Sequence, residues 1–312
     1  MTEILFIKTS SLGDVIHHMP ALTEARARLP AARFAWVVEE AFAPLVRLHP
    51  AVDRVIPVAL RRWRREFFLP SIWSQAAQFR RELRAHGYDE IVDTQGLIKS
   101  ALIARSAQGR RHGYDAQSIK ERTASRFYDM LHKVEWNRHA IERNRTLTGR
   151  ALGYAPHGAP NYGLERARLA GAVAMPYGVL LHATARREKQ WAEDHWRALA
   201  ATLGKDIDLV LPWGSADECA RSARIASGVP RARIPDRRPI DAMAQLIAGA
   251  SFVVGVDTGL LHLAAALGVP LTAIFVASEP GLTGPVGSGR INVLGWKARP
   301  PSVAQVLEAM GR

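Results

Sequence analysis

The chain has 312 residues, is 48% hydrophobic and 23% charged, and carries a formal net charge of +13. This is the composition of a globular protein rather than a disordered one, and its length points to two domains of about 150 residues. No apolar stretch reaches the ~18–20 residues of a spanning helix, and the lone cysteine, Cys219, excludes an intrachain disulfide and fits a reducing cytosol. Acidic Glu3 leading straight into a strand pattern points away from a signal peptide. Residues 54–150 hold 20 Lys+Arg against 10 Asp+Glu, a local excess of +10. That favours an anionic partner: nucleic acid, an acidic membrane, or a phosphorylated or carboxylated substrate.

Ile4-Leu5-Phe6-Ile7 opens the chain as a strand, spanning 3–8. The turn Lys8-Thr9-Ser10-Ser11-Leu12-Gly13-Asp14 follows, then a helical pattern over 15–28. Turns at the carboxyl ends of parallel strands are where open α/β sheets place their chemistry, and Asp14 is the carboxylate of this turn. Strands are expected at 34–38, 54–58 and 89–93, and helices near 40–48, 72–86, 97–106, 117–132 and 138–152. These β runs are short, continuous and apolar, as in strands covered on both faces by helices, so a parallel sheet is expected.

Within this half, Arg61-Arg62-Trp63-Arg64-Arg65 follows a strand directly, with Phe67, Phe68, Ile72 and Trp73 downstream. Arginine forks suit carboxylate or phosphate. The basic and aromatic mixture suits a membrane surface or lipid-bearing acceptor, single-stranded nucleic acid, or a packed surface loop. Asp93-Thr94-Gln95-Gly96-Leu97-Ile98-Lys99 is another strand-end turn, so Gln95 and Lys99 can join Asp14; Lys120, Arg122 and His139 are weaker additions.

Gly and Pro residues crowd 153–176, which reads as an interdomain linker. The alternation then restarts: strands at 177–182, 207–211, 232–234, 251–256 and 271–276, with helices at 193–204, 216–226, 240–249 and 259–267. A loop at 277–289, a strand at 290–294 and a helix at 302–310 close the chain. In this half Val256-Asp257-Thr258-Gly259 ends a strand and begins a helix, with His262 one turn on. Asp257 suits a sugar or ribose hydroxyl, and equally Asp257 and Thr258 can simply cap the helix. His262 can face the same ligand or be a packed histidine. Thr184 and Lys189, after strand 177–182, suit a leaving diphosphate or sit in a solvated basic loop. Glu218, four residues past Leu211-Pro212-Trp213-Gly214, suits ribose hydroxyls or is a carboxylate favoured at a helix start.

The chain has no GxxxxGKS/T, no compact GxGxxG after its first strand, no HExxH or paired CxxC, and no GxSxG. These absences disfavour P-loop, dinucleotide, zinc and hydrolase-elbow chemistry.

Taken in order, Lys8–Asp14, Arg61-Arg62-Trp63-Arg64, Asp93–Ser100, Leu211–Gly214 and Val256–Leu263 resemble the ADP-heptose glycosyltransferases, glycosyltransferase family 9. The arginine cluster and Trp36-Val37-Val38-Glu39-Glu40 resemble the members that add the first heptose. The resemblance implies an α/β GT-B fold. Two Rossmann-like domains with parallel sheets would face a central cleft: residues 1–155 for the acceptor and 177–312 for the donor, joined by a linker at 156–176. The last helix is the element that could pack back on the first domain.

The implied reaction moves L-glycero-D-manno-heptose from ADP-heptose to the first Kdo of Kdo2-lipid A, with inversion, in lipopolysaccharide inner-core biosynthesis. The resemblance implies Asp14 as general base. It assigns Thr184, Lys189, Glu218, Asp257, Thr258, Gly259 and His262 to the donor, and Lys8, Ser10, Arg61, Arg62, Arg64, Gln95, Lys99 and Lys120 to the acceptor. No cofactor or metal is implied beyond the ADP-heptose substrate. The implied setting is cytoplasmic, peripheral on the anionic inner face of the bacterial inner membrane, without nucleic acid and with the oligomeric state open. Alternatives are a transferase acting on an already heptosylated core and, in a different class, a basic nucleic-acid-binding protein. Three departures stand out: Ala185 replaces a family threonine, Lys120 a family arginine, and Arg238 falls near a family methionine.

Overall fold

The computed structural model describes residues 1–171 and 175–312, which divide into two compact units, Met1–Gly163 and Leu164–Arg312. In the first unit the elements run β1 (Glu3–Ile7), α1 (Leu12–Arg28), β2 (Arg33–Glu39), α2 (Ala43–Val46), β3 (Arg54–Val58), α3 (Leu60–Arg65), α4 (Pro70–Arg84), β4 (Gly87–Asp93), α5 (Ile98–Ser106), β5 (Gln108–Tyr114), β6 (Met130–His132) and α6 (Ala140–Leu152). The sheet is parallel throughout, in the order β3-β2-β1-β4-β5-β6. Ile4 to Ile7 are fully buried in its centre, beside Phe34 and Trp36 of β2. Apolar side chains on successive residues leave neither face of these strands fit for water, which is why helices cover both.

The expected helix over 117–132 is replaced by a short 3-10 stretch, Arg122–Phe127, and the strand β6. The segment Gln108-Gly109-Arg110-Arg111-His112-Gly113-Tyr114, with no apolar run, is a strand nevertheless. It is held by cross-strand charge pairs: Arg110 with Glu90 of β4, and Arg111 with Asp129 just before β6. The arginine run, expected only as a cluster after β3, forms the helix α3. The helix expected at 40–48 shortens to a 3-10 turn, Glu40–Phe42, and α2.

The second unit contains α7 (Arg166–Ala170), β7 (Tyr177–Leu181), α8 (Glu193–Leu203), β8 (Asp208–Val210), α9 (Ala216–Ala226), β9 (Ala232–Arg233), α10 (Ile240–Gly249), β10 (Phe252–Val256), α11 (Gly259–Ala266), β11 (Leu271–Ile274), β12 (Ile291–Leu294) and α12 (Val303–Met310). Its sheet is also parallel, in the order β12-β11-β10-β7-β8-β9. Counting strands from the start of each unit, both sheets have the doubly wound order 3-2-1-4-5-6. The second core gathers Trp191, Trp196, Leu209, Val254 and Ile274, with Val306 of α12 among them. The last helix therefore packs on its own unit, against α8, β11 and β12.

Of the stretch expected as a linker, 156–176, residues 172–174 lie outside the described residues. Its beginning is tied to the first unit: Tyr162 is buried, and Gly163, at φ +68°, lies so close to His49 that a Cβ would approach Nε2 to 2.6 Å. Its helix α7 belongs to the second unit, where Arg166 donates to the carbonyls of Ala248 and Ala250 at 2.8 Å each.

Candidate active site

In a doubly wound sheet the strand order reverses at one point, and the loops leaving the two strands there diverge to opposite faces and open a crevice. In the first unit that point lies between β1 and β4, whose last residues, Ile7 and Asp93, are in register. The turns Lys8–Asp14 and Thr94–Lys99 therefore emerge side by side. Gln95, buried, accepts at Oε1 from both Thr9 N and Ser10 N, each at 3.1 Å. Lys99 Nζ donates to Ser10 Oγ at 3.2 Å. The Asp14 Oδ2 accepts from Ser11 N at 2.7 Å and Ser11 Oγ at 2.9 Å, which fixes the carboxylate at the start of α1.

Lys8 lies beneath this turn. Its ammonium donates to Thr94 O at 2.8 Å and to Asn144 Oδ1 at 3.3 Å. Burial pulls its pKa below the ordinary value, opposed by the charges of Asp14 and Asp93 and assisted by those of Arg143 and Lys120. Asp93 is fully buried, and burial raises its pKa against hydrogen bonds from Tyr128, Ser100 and the Gln95 and Gly96 amides. Its role is to shape the turn. Gly96 adopts φ +67°, where its missing side chain lets Ile119 approach. Lys120 is exposed in the adjoining loop, which is tied to the turn by Glu121 N donating to Gly96 O.

The arginine cluster leaves β3, at the same carboxyl edge. Arg61 is exposed, with its backbone N–H on Glu39 Oε1 and its guanidinium 5.2 Å from the Phe42 ring centre. Arg62 is not open: both arms meet Glu40 at 3.1 Å, and Nη1 meets Gln75 at 2.8 Å. Arg64 is exposed and has no ion pair among the described residues. The four arginines thus do not form one open fork.

Arg143 of α6 escaped the sequence reading. Its guanidinium lies 4.1 Å from the Trp136 ring centre and 4.9 Å from that of Tyr114, and it donates to Ser118 O at 2.5 Å. Its pKa is lowered by burial, and its charge bears on Lys8. Asn144, next to it, holds Lys8 and the His17 carbonyl. Neither residue stands in a strand-end turn, the signal by which the others were found. His139 caps α6 and meets His17 edge-on at 5.5 Å.

In the second unit the reversal lies between β7 and β10, with Leu181 and Gly255 in register. Asp257 is the hub of the loops there. Its Oδ2 accepts from Lys189 Nζ at 2.5 Å and from Ser278 Oγ at 2.6 Å, and its carbonyl accepts from Thr184 Oγ1 at 2.9 Å. His262 Nε2 stands 3.9 Å from Oδ1. Burial opposes the charge on Asp257, but the Lys189 and Ser278 hydrogen bonds and the Lys189 charge outweigh it and keep the carboxyl below its ordinary pKa.

The helix-cap alternative for this stretch does not describe it. Thr258 occupies the N-cap position of α11 without a side-chain hydrogen bond to the helix, and Asp257 is turned to Lys189. The start of α11 at Gly259 thus presents backbone N–H groups and the positive end of its dipole beside a lysine, an arrangement suited to phosphate. Ser278, from the Pro/Gly-rich loop, was likewise not singled out from the sequence. Glu218 stands apart: its Oε2 accepts from Gly214 N at 2.7 Å and Ser215 N at 3.2 Å, so it closes the start of its own helix α9. Ala185 and Arg238 are exposed.

Residues 76–306 match the sequence profile of Glycosyltransferase family 9 (heptosyltransferase). Lipopolysaccharide heptosyltransferase 1 of Escherichia coli (strain K12) is 43% identical over 294 residues, covering 93% of this chain and 92% of its own. Among solved structures, E. coli heptosyltransferase WaaC with ADP superposes with a TM-score of 0.92 at 39% identity, covering 99% of both chains. The same enzyme with ADP-2-deoxy-2-fluoro heptose gives 0.88 at 40% identity, covering 99% of this chain and 98% of that one. With likeness of this extent in sequence and fold, two Rossmann-like units make this an α/β protein of the GT-B type, and the chain is a glycosyltransferase belonging to family 9, the heptosyltransferases.

Proposed function

We propose that the protein transfers L-glycero-D-manno-heptose from ADP-heptose to the first Kdo of Kdo2-lipid A, with inversion at the anomeric carbon. The observation that carries this reading is the set of loops around Asp257, where Lys189, Thr184 and the uncapped start of α11 meet at the switch point of one sheet. The E. coli relative is solved with ADP and with a fluorinated ADP-heptose, which supports the same donor here.

On the donor side, Lys189 and the amides of Thr258 and Gly259 offset the charge that grows on the departing diphosphate. Asp257, and His262 beside it, receive hydroxyls of the sugar, while Glu218 keeps Oε1 for a ribose hydroxyl. On the acceptor side, Asp14 takes the proton of the attacking hydroxyl as the new bond forms. Such general-base assistance is worth roughly 10²–10⁴ in rate. Lys99, Lys120, Arg61 and Arg64 match the carboxylates and phosphates of the acceptor, joined by Arg143. Lys8, Gln95 and Ser10 hold the base-bearing turn in shape. Arg62 contributes through Glu40 and Gln75 rather than directly. The chemistry needs no cofactor or metal beyond the two substrates.

The setting we propose is the cytoplasmic face of the bacterial inner membrane, with the protein bound peripherally to the anionic surface that carries the acceptor. None of the helices among the described residues is long and apolar enough to cross a membrane. The test is incubation with ADP-heptose and Kdo2-lipid A, following ADP release and the anomeric configuration of the product by NMR. Release of ADP with an inverted linkage supports the reading. Absence of transfer by the folded protein, or transfer only to a heptosylated core, overturns it.

A further inference from the structure

Three of the most exposed apolar side chains of the first unit lie within seven residues of one another. Phe67, Phe68 and Trp73 are 63%, 69% and 67% exposed, and Leu69 joins them. Isolated apolar residues at a surface are ordinary, but three exposed aromatics within seven residues of sequence are not.

The segment that bears them is well built. Backbone hydrogen bonds run from Glu66 N to Arg62 O, Leu69 N to Glu66 O and Ile72 N to Leu69 O, carrying α3 into α4. Gln75 Oε1 accepts from Arg62 Nη1 at 2.8 Å and from Trp63 Nε1 at 3.3 Å, and the Trp63 ring meets Phe79 edge-on at 5.8 Å. The inward residues of the two helices are thus pinned together, with Ile72 and Leu83 of α4 buried. Phe67 and Phe68 stand at the junction with ring centres 6.0 Å apart. Trp73 lies on the outer face of α4, on the stripe that continues through Ala77, Arg80 and Arg84, all exposed.

Charge selects the partner. Residues 60–84 contain seven arginines and two glutamates, and Arg64, Arg65, Arg80, Arg81 and Arg84, on either side of the aromatic set in the sequence, are exposed. Aromatic rings flanked by arginines are the composition of a surface that sits at the boundary of an anionic bilayer, rings among the acyl ends and guanidinium groups among the phosphates.

Position gives the contact its use. Residue 60 follows β3, and β3 is two strands from β1, about 10 Å across the sheet. The aromatic junction therefore lies at the carboxyl edge that carries Asp14. We infer that Phe67, Phe68, Leu69 and Trp73 form a wedge that seats the first unit in an anionic bilayer. This brings the base-bearing edge to the level at which a lipid-anchored acceptor displays its sugars. The inference rests on the proposed lipid-linked acceptor for its purpose, but the contact itself is measured without one.

The experiment compares the unchanged protein with F67S/F68S/W73S, after circular dichroism and thermal unfolding show both folded. Each is sedimented with phosphatidylglycerol/phosphatidylethanolamine vesicles and with phosphatidylcholine vesicles, and assayed on a deacylated, water-soluble Kdo2 acceptor. The expected result is binding of the unchanged protein to anionic vesicles only, a partition coefficient at least tenfold lower in the variant, and equal turnover of the soluble acceptor. Vesicle binding undiminished in the variant overturns the wedge, as does absence of binding by the unchanged protein. A self-association, or an oligonucleotide affinity, that the three substitutions abolish while vesicle binding persists assigns the patch elsewhere and also overturns it. Failure of the unchanged protein to use any acceptor, with vesicle binding as expected, counts against the proposed reaction and leaves the surface standing.

Discussion

Lys189 Nζ donates to Asp257 Oδ2 across 2.5 Å, joining the loop after β7 to the loop after β10. Both side chains are largely buried, so the pair is screened little by solvent. Removing the lysine leaves a buried carboxylate held, among the described residues, by Ser278 and the more distant His262. We expect Lys189→Ala to lower kcat by ~10²–10³, the usual size of losing one charge-stabilising group, and to raise KM for ADP-heptose. Lys189→Ala and Asp257→Asn together should cost much less than the product of their separate effects, because they interact directly. Steady-state kinetics of the four proteins measures the coupling, and strict additivity would show that the pair acts as two independent groups.

Asp14 is oriented by Ser11 N and Oγ. An asparagine fits the same space but has no basic oxygen to accept the acceptor's proton. Asp14→Asn should lower kcat by ~10²–10⁴ and leave ADP-heptose binding, read by calorimetry, within about twofold. An active variant would remove Asp14 from the role of base.

Gln95 has one carbonyl oxygen for two buried backbone donors, Thr9 N and Ser10 N. Gln95→Ala leaves both unsatisfied, at about 1–3 kcal/mol for a buried group without a partner. The expected readout is a fall in kcat larger than any rise in KM for the acceptor, with a lower Tm. A change confined to KM would show instead that Gln95 binds the acceptor directly.

The switch-point turn of each unit was legible because it is a polar stop on an apolar run: Ile7 before Lys8 in the first and Val256 before Asp257 in the second. Arg143 and Asn144 were not, since they belong to a helix whose pattern is set by its packing face, and they reach the site only through the fold. The strand β5 was missed for a related reason. Gly109, Arg110, Arg111 and His112 have no apolar periodicity, and their stability as a strand comes from Glu90 and Asp129 on neighbouring segments. The roles of Arg62 and Glu218 depend on which carboxylate or amide lies opposite, and the order of residues along a chain does not state that.

Arg143 is the missed residue with the plainest consequence. Its guanidinium is held between Trp136 and Tyr114 and has no carboxylate partner among the described residues. Charge-assisted hydrogen bonds contribute about 1.5–3 kcal/mol, so Arg143→Ala should raise KM for an anionic acceptor by about tenfold or more while donor affinity is unchanged. Arg143→Lys keeps the charge without the planar fork, and should restore less than half of the loss in free energy.

Stability should fall in mild acid through buried histidines whose pKa is lowered by burial, His49 and His182 among them. Burial pushes His49 and His182 down to about 4, with Arg26 adding to the effect on the first and Arg221 on the second. Their rings are also occupied: Ala51 N donates to His49 Nδ1 at 3.2 Å, which requires that nitrogen unprotonated, and His182 Nε2 pairs with Ser222 Oγ at 2.7 Å. In the unfolded chain both titrate near 6.5. Between about pH 6.5 and 4 the unfolded state therefore binds more protons, and stability drops as pH falls, by up to about 1.4 kcal/mol per pH unit for each histidine. Above about 6.5 both contributions are fully present. Asp93, whose pKa is raised by burial, acts in the opposite sense, so the clean measurement is a difference between proteins. Urea unfolding from pH 7.5 to 5 should show a shallower pH slope for His182→Asn than for the unchanged chain, by about one proton at most. Equal slopes would mean that His182 becomes protonated in the folded protein without cost.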